Sequence, residues 1–325
     1  MNNKSRYLLA SVFIVLLGAC RKENHQLIIT TIAGGNGAGS GSNQLNAPVD
    51  IHVDMADNAY VVDGNNHRVQ KWAAGSISGT TVAGGNGGGS TANKLNQPGD
   101  VFVDVLGNIY VSDFVNHRVQ KWAPGAVSGT TIAGGNGAGT SPNQLRNPTG
   151  IFVDAAGTLY ISDTGNHRVQ KWLLGLDFGT TIAGGNGTGN GANQLVSPDG
   201  IFVDVANNIY IVDTGNNRVQ KWALGATIGA TVAGGNGSGN GSNQLNTPDG
   251  IFVDSSSKIY IADRGNNRVQ AWSHSATSGK TVAGGNGQGS DENQFNSPAN
   301  VFVDSSGNIY VADLNNNRVQ KWSWN

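Results

Sequence analysis

Three histidines, His67, His117 and His167, stand fifty residues apart, each between an asparagine and an arginine. Imidazole is the commonest zinc ligand, so three in register raise the prospect of a metal site. Zinc holds its ligands at about 2 Å, and equivalent turns of consecutive repeats lie too far apart for that. A structural role is expected for them, with no metal. A second candidate is the stretch TIAGGNGAGSGSNQL (31–45), restated near 81, 131, 181, 231 and 281. A phosphate-cradling loop must lead into a helix, and a Walker loop must also end in Lys-Ser/Thr. Here Asn43-Gln44-Leu45 and Pro48 follow, and then a strand-like run. The loop is expected to be a flexible connector, and no cofactor is expected.

Other polar residues recur in all six copies. Asp163 and Arg168 bracket a turn and suit a tie between turn and strand; Asp154 sits where an Asx turn would start a hairpin. A residue stated once per repeat most simply builds the repeat, because one ligand cannot meet six equivalent places. Attention therefore passes to deviations. One turn varies as Gly64-Asn65, Phe114-Val115, Thr164-Gly165, Thr214-Gly215, Arg264-Gly265 and Leu314-Asn315. Phe114, Val115, Arg264 and Leu314 are the outliers, of the types that dominate contact energy at interfaces. Asp50, Asp100, Asp199 and Asp249 add acidic character to the same rim. Phe114, Val115, Arg264, Leu314, Asp199 and Asp249 are the candidate ligand-binding residues. No catalytic triad or paired-carboxylate arrangement stands out from the repeated background, and no catalytic residue is assigned.

The elements that must position these residues follow from the period. Trp72 to Trp322, Pro48 to Pro298 and Tyr60 to Tyr310 each recur every fifty residues, without insertion or deletion. Each copy holds four short runs rich in β-branched and aromatic residues; in the third these are 150–154, 158–162, 168–172 and 180–183. No segment keeps a helical period. Four antiparallel strands in six copies predict an all-β, six-bladed β-propeller. The orphan strand IITTIA (28–33) and the three-stranded last copy predict that the N-terminal strand completes the final blade and closes the ring.

The run GIFVDAAGTLYISDTGNHRVQKW (150–172), with Asn116-His117-Arg118-Val119 in the copy before it, resembles the NHL-repeat motif. The resemblance extends from Ile28 to Trp322. It departs where His becomes Asn217, Asn267 and Asn317, and where the usual inner-strand Phe becomes His52. It implies a propeller. Some NHL-like propellers resemble amidating lyases with metal in the channel, which would make His52 the first candidate here. Lactonase-like propellers bring a Glu to the axis, but the body of this chain has only Glu23 and Glu292. The ubiquitin-ligase activity joined to some NHL modules is not implied, because the chain lacks the cysteines of a RING domain.

The remaining signals concern the N-terminus. Lys4 and Arg6 precede the apolar run Tyr7–Leu17, too short to span a bilayer, and Leu17-Gly18-Ala19-Cys20 resembles the bacterial lipobox. The expected division is a signal peptide over 1–19, a lipidated tether over 20–27 beginning at Cys20, and the propeller over 28–325. Cys20 is the sole cysteine, so no disulfide is possible. From Arg21 onward there are 18 basic and 21 acidic side chains, a balance of −3 that disfavours nucleic acid. The expectation is an exported lipoprotein, anchored to the membrane through Cys20 on the periplasmic side or cell surface. It would be a monomeric, non-enzymatic platform for an envelope protein or glycan. The alternative is a metal-dependent lyase or hydrolase working in the central channel.

Overall fold

The computed structural model describes residues 26–325; the signal segment and Cys20 lie outside them. Six four-stranded antiparallel sheets form the blades of a propeller. In the first blade the strands run from axis to rim as Pro48–Val53, Ala59–Asp63, Arg68–Trp72 and Thr80–Gly84. Burial falls along that order. The second strand is buried at every residue, because neighbouring blades cover both its faces, whereas the outermost strand exposes Thr80 and Thr81 to solvent.

Leu27–Gly34 pairs with Arg318–Trp324 and completes the sixth blade, Leu27 lying opposite Trp324. The interface between sixth and first blades then resembles the other five. Ala33, Leu45, Ile51 and Trp72 pack there against Tyr310 and Val319, just as Tyr60, Val69, Leu95 and Trp122 pack between the first and second. Burying apolar surface between blades rather than within them is what makes the ring cooperative.

The repeated polar residues supply the joints. Asp154 Oδ1 accepts from the amides of Ala156 and Thr158, at 2.9 and 2.8 Å, and shapes the hairpin turn. Asp163 is wholly buried and takes three donors: Arg168 Nε at 2.7 Å, Asn166 Nδ2 at 2.8 Å and the Arg146 amide at 2.6 Å. Arg168 continues to the carbonyls of Thr140 and Gln144 at 2.9 and 3.2 Å, fastening the preceding glycine-rich loop.

That loop is a connector between outer and inner strands, but it is pinned rather than loose. Asn36 Nδ2 donates to the Asn43 carbonyl at 3.0 Å, Gln44 Nε2 to the Asn36 carbonyl at 3.2 Å, and Leu45 is fully buried. Gly84 has φ +69°, and a Cβ there would strike the His67 carbonyl, so this position of the repeat requires glycine.

The histidines have a joint of their own. His67, His117 and His167 occupy the left-handed region (φ 54° to 55°), and each Nδ1 accepts the amide of the next blade's loop, from Gln97, Asn147 and Ser197 at 3.0 to 3.1 Å. Asn217, Asn267 and Asn317 do the same with Oδ1 at 2.8 to 3.0 Å, the last reaching Ala47 across the ring closure. His and Asn are thus equivalent, each placing an acceptor at one reach from a residue that tolerates positive φ.

Candidate functional site at the axial mouth

Alternation along the innermost strands sends every second side chain to the axis. One layer is aromatic: His52, Phe102, Phe152, Phe202, Phe252 and Phe302 form a closed circuit with centroids 5.1 to 5.3 Å apart. Their planes are tilted by 54° to 63°, the edge-to-face range that aromatic pairs favour. Burial between two phenyl rings lowers His52 from its ordinary pKa of 6.5 to about 4, with the Asp54 charge opposing, so the imidazole is neutral at pH 7.

Above this floor is a cavity of about 130 Å³, walled by inner-strand residues of all six blades and bordered by Asp50, Asp100 and Asn300. The acids around the mouth come from four blades but not from equivalent places. Asp50 and Asp100 share one register position with Asn300. Asp199 and Asp249 stand one residue earlier, each followed by a glycine. A Cβ at Gly200 would meet the Asp249 carbonyl, so glycine lets inner strands approach there. Where aspartate replaces it, the carboxylate takes over the inter-blade bond: Asp50 Oδ2 accepts from the Val101 amide at 2.7 Å and Asp100 Oδ2 from the Ile151 amide at 2.8 Å. Asn300 Nδ2 donates to Asp50 Oδ1 across the ring closure.

The four carboxyls interact as two neighbouring pairs. Burial and the adjacent Asp50 charge push Asp100 well above the usual carboxylate range. Burial and the adjacent Asp249 charge do the same to Asp199. Asp50 and Asp249 are raised as well, chiefly by burial. Each pair therefore gives up its protons less readily than isolated carboxyls would. Among the described residues the cation at the mouth is Arg264, whose Nη1 lies 3.0 Å from Asp249 Oδ2 with its side chain 42% exposed.

The structure thus brings Asp199, Asp249 and Arg264 into one site and adds Asp50 and Asp100. Phe114, Val115 and Leu314 lie on the short 3₁₀ turns at the same end of the propeller. Phe114 and Leu314 are half-buried, and Val115 is the exposed one at 36%. Carboxyl pairing escapes linear reading because the partners are fifty residues apart. The aromatic layer escapes it because one phenylalanine per repeat reads as core; the signal was the histidine breaking that series. Among the described residues, no group of three or more His, Cys, Asp or Glu is placed to hold a metal ion, and no helix is long and apolar enough to cross a membrane.

The family model for the NHL repeat matches residues 95–122, 145–172 and 295–322. Each segment runs from the buried loop residue Leu95, Leu145 or Phe295 through the first three strands of its blade. No curated protein matches the sequence. Among solved structures, the chain is similar to a protein of unknown function from Bacteroides thetaiotaomicron, with TM-score 0.71, 18% identity and coverage of 93% of this chain and 76% of that one. It is similar to an auxiliary nutrient binding protein of the same species, with TM-score 0.68, 17% identity and coverage of 92% and 77%. It is also similar to virginiamycin B lyase from Staphylococcus aureus, with TM-score 0.58, 11% identity and coverage of 92% and 99%. At these identities the likeness is one of fold.

Proposed function

We propose that this chain is a non-enzymatic binding protein of the cell envelope, anchored through a lipidated Cys20, that takes a ligand bearing an ammonium group at its axial mouth. One observation carries the reading: four carboxyls converge there against a single exposed guanidinium, whereas Asp63 and its equivalents each have an arginine of their own. A concave acidic site with low-dielectric walls concentrates positive charge. The mouth is small beside drug-sized pockets of about 300 Å³ or more, so it suits one compact group: the amine of a free nutrient, or one displayed by an envelope protein or amino-sugar glycan. The nutrient binding protein from Bacteroides thetaiotaomicron, which shares the fold, agrees with this reading.

A channel lyase or hydrolase has less support. Its candidate metal-binding residue, His52, is packed between Phe102 and Phe302. The test is calorimetric titration of glucosamine, lysine and spermidine against uncharged counterparts such as glucose. Binding of at least one amine, reduced tenfold or more by Asp199→Asn/Asp249→Asn, is the expected result. Amine binding indifferent to that double variant would contradict the site.

A further inference from the structure

We infer that the end of the propeller opposite the acidic mouth lies directly on the bilayer, with the turns of the first four blades dipping into the lipid interface. The inference rests on the anchoring proposed for Cys20. Large exposed apolar side chains are segregated among the described residues: all except Val115 lie at the far end from the mouth or on the outer strand ends there. They occupy the tips of hairpin turns (Met55 at 92% exposure, Val105, Leu106 and Val205) and the loops after the third strands (Val127, Leu174).

The fold does not require apolar residues at these tips. The turn is shaped by the aspartate before it, and the fifth and sixth blades make the same turn with Ser255-Ser256 and Ser305-Ser306. Apolar tips are therefore an addition to the repeat, confined to an arc of consecutive blades. An exposed apolar surface of this kind marks a contact with something apolar.

The chain itself indicates what that is. Gln26 and Leu27 enter at this same end, where the Gln26 carbonyl accepts from the Asn325 amide and Leu27 faces Trp324. Cys20 is seven residues upstream of Leu27, a reach of at most roughly 25 Å. A lipid on Cys20 would hold this end within contact of the membrane. Separate protruding tips suit insertion among headgroups better than they suit one continuous protein groove. The face is not basic: an aspartate such as Asp54 accepts from the tyrosine hydroxyl of a ring that a lysine such as Lys71 overlies, and in the fifth blade Lys258 takes over the Tyr260 ring where Ala271 replaces the usual lysine. Contact should therefore be hydrophobic and persist at high salt.

Cys20 is the only native cysteine, and acylation would leave it unreactive, so an environment-sensitive fluorophore can be placed at will in the full exported chain. Single variants Val205→Cys, Ser305→Cys and Val115→Cys are labelled and reconstituted in phosphatidylcholine vesicles carrying doxyl-labelled lipid. The mass of the mature chain reports acylation of Cys20 separately. The expected result is acylated protein with the Val205 probe blue-shifted and quenched several-fold more than the Val115 probe, Ser305 falling between, unchanged by high salt. Acylated protein with Val205 quenched no more than Val115 overturns the contact and leaves the anchor standing. An unmodified Cys20 with no vesicle association overturns both. Quenching confined to native membranes, and absent from pure lipid, assigns the face to a membrane protein and overturns the bilayer as occupant.

Discussion

The fully buried aspartates of the inter-blade frame and the aspartates of the axial mouth, of which only Asp50 is fully buried, are the same residue type, yet they are provided for differently. Burial pushes Asp163 up, and the donors from Asn166, Arg146 and Arg168 pull it back; the arginine bond recurs in every blade. Asp199 has a like charge beside it and no arginine of its own. The frame aspartates are compensated within their repeat. The axial aspartates break the repeat and are left partly uncompensated, which is the condition of a group that meets its partner from outside.

The contrast can be broken at its strongest point. Deleting Leu27–Ala33 removes the strand that makes the sixth blade's edge a closed joint, and the melting temperature should fall more than in any point variant. An unchanged melt would mean that the ring is not held by that strand. Next, Asp163→Ala leaves Arg168 buried without its counter-charge and should cost about 3–5 kcal/mol by denaturant titration. Asp199→Asn at the mouth should cost nothing or stabilise, because it relieves repulsion while keeping the shape. Equal losses at the two positions would erase the distinction.

Acidity sharpens it further. Folded Asp100 and Asp199 keep protons that the unfolded chain has released, so the folded state binds more protons above the usual carboxylate range, and stability falls as pH rises through that window. Asp100→Asn/Asp199→Asn should therefore melt above wild type at neutral pH, with the gap closing in acid. His52 has the opposite sign. Its pKa is lowered to about 4, so stability is lost as pH falls from 6.5 towards that value, and His52→Phe should flatten the loss. The smallest effect is expected at the inter-blade acceptors: His67→Asn near neutral, as the repeat already shows at Asn217, and His67→Ala costing about 1 kcal/mol.

Much of the frame is legible in the sequence because its partners are local and periodic. The fifty-residue step, the orphan strand at 28–33 and the Asp163–Arg168 spacing predict the blades, the closure and the ion pair. The glycine-rich loop reads as a connector, although the bonds of Asn36 and Gln44 that hold it are not visible in its composition. The mouth is less legible. Asp50 and Asp100 differ in register by one residue from Asp199 and Asp249, and only closing six strands around one axis makes them neighbours. The histidines mislead in the other direction: an imidazole suggests chemistry, yet His67 does what Asn217 does. The rim outliers divide, Arg264 facing the mouth through Asp249 and Val115 facing solvent.

The central claim, that the axial carboxyls resist ionising together and form a site for a cation, is tested most directly by counting protons during binding. The tightest amine of the panel is titrated near pH 6 in buffers of different ionisation enthalpy. Entry of the ammonium group should expel protons from the pairs Asp50/Asp100 and Asp199/Asp249, giving net release that Asp100→Asn/Asp199→Asn abolishes. Binding that releases no protons, or releases as many from the double variant, would contradict the account.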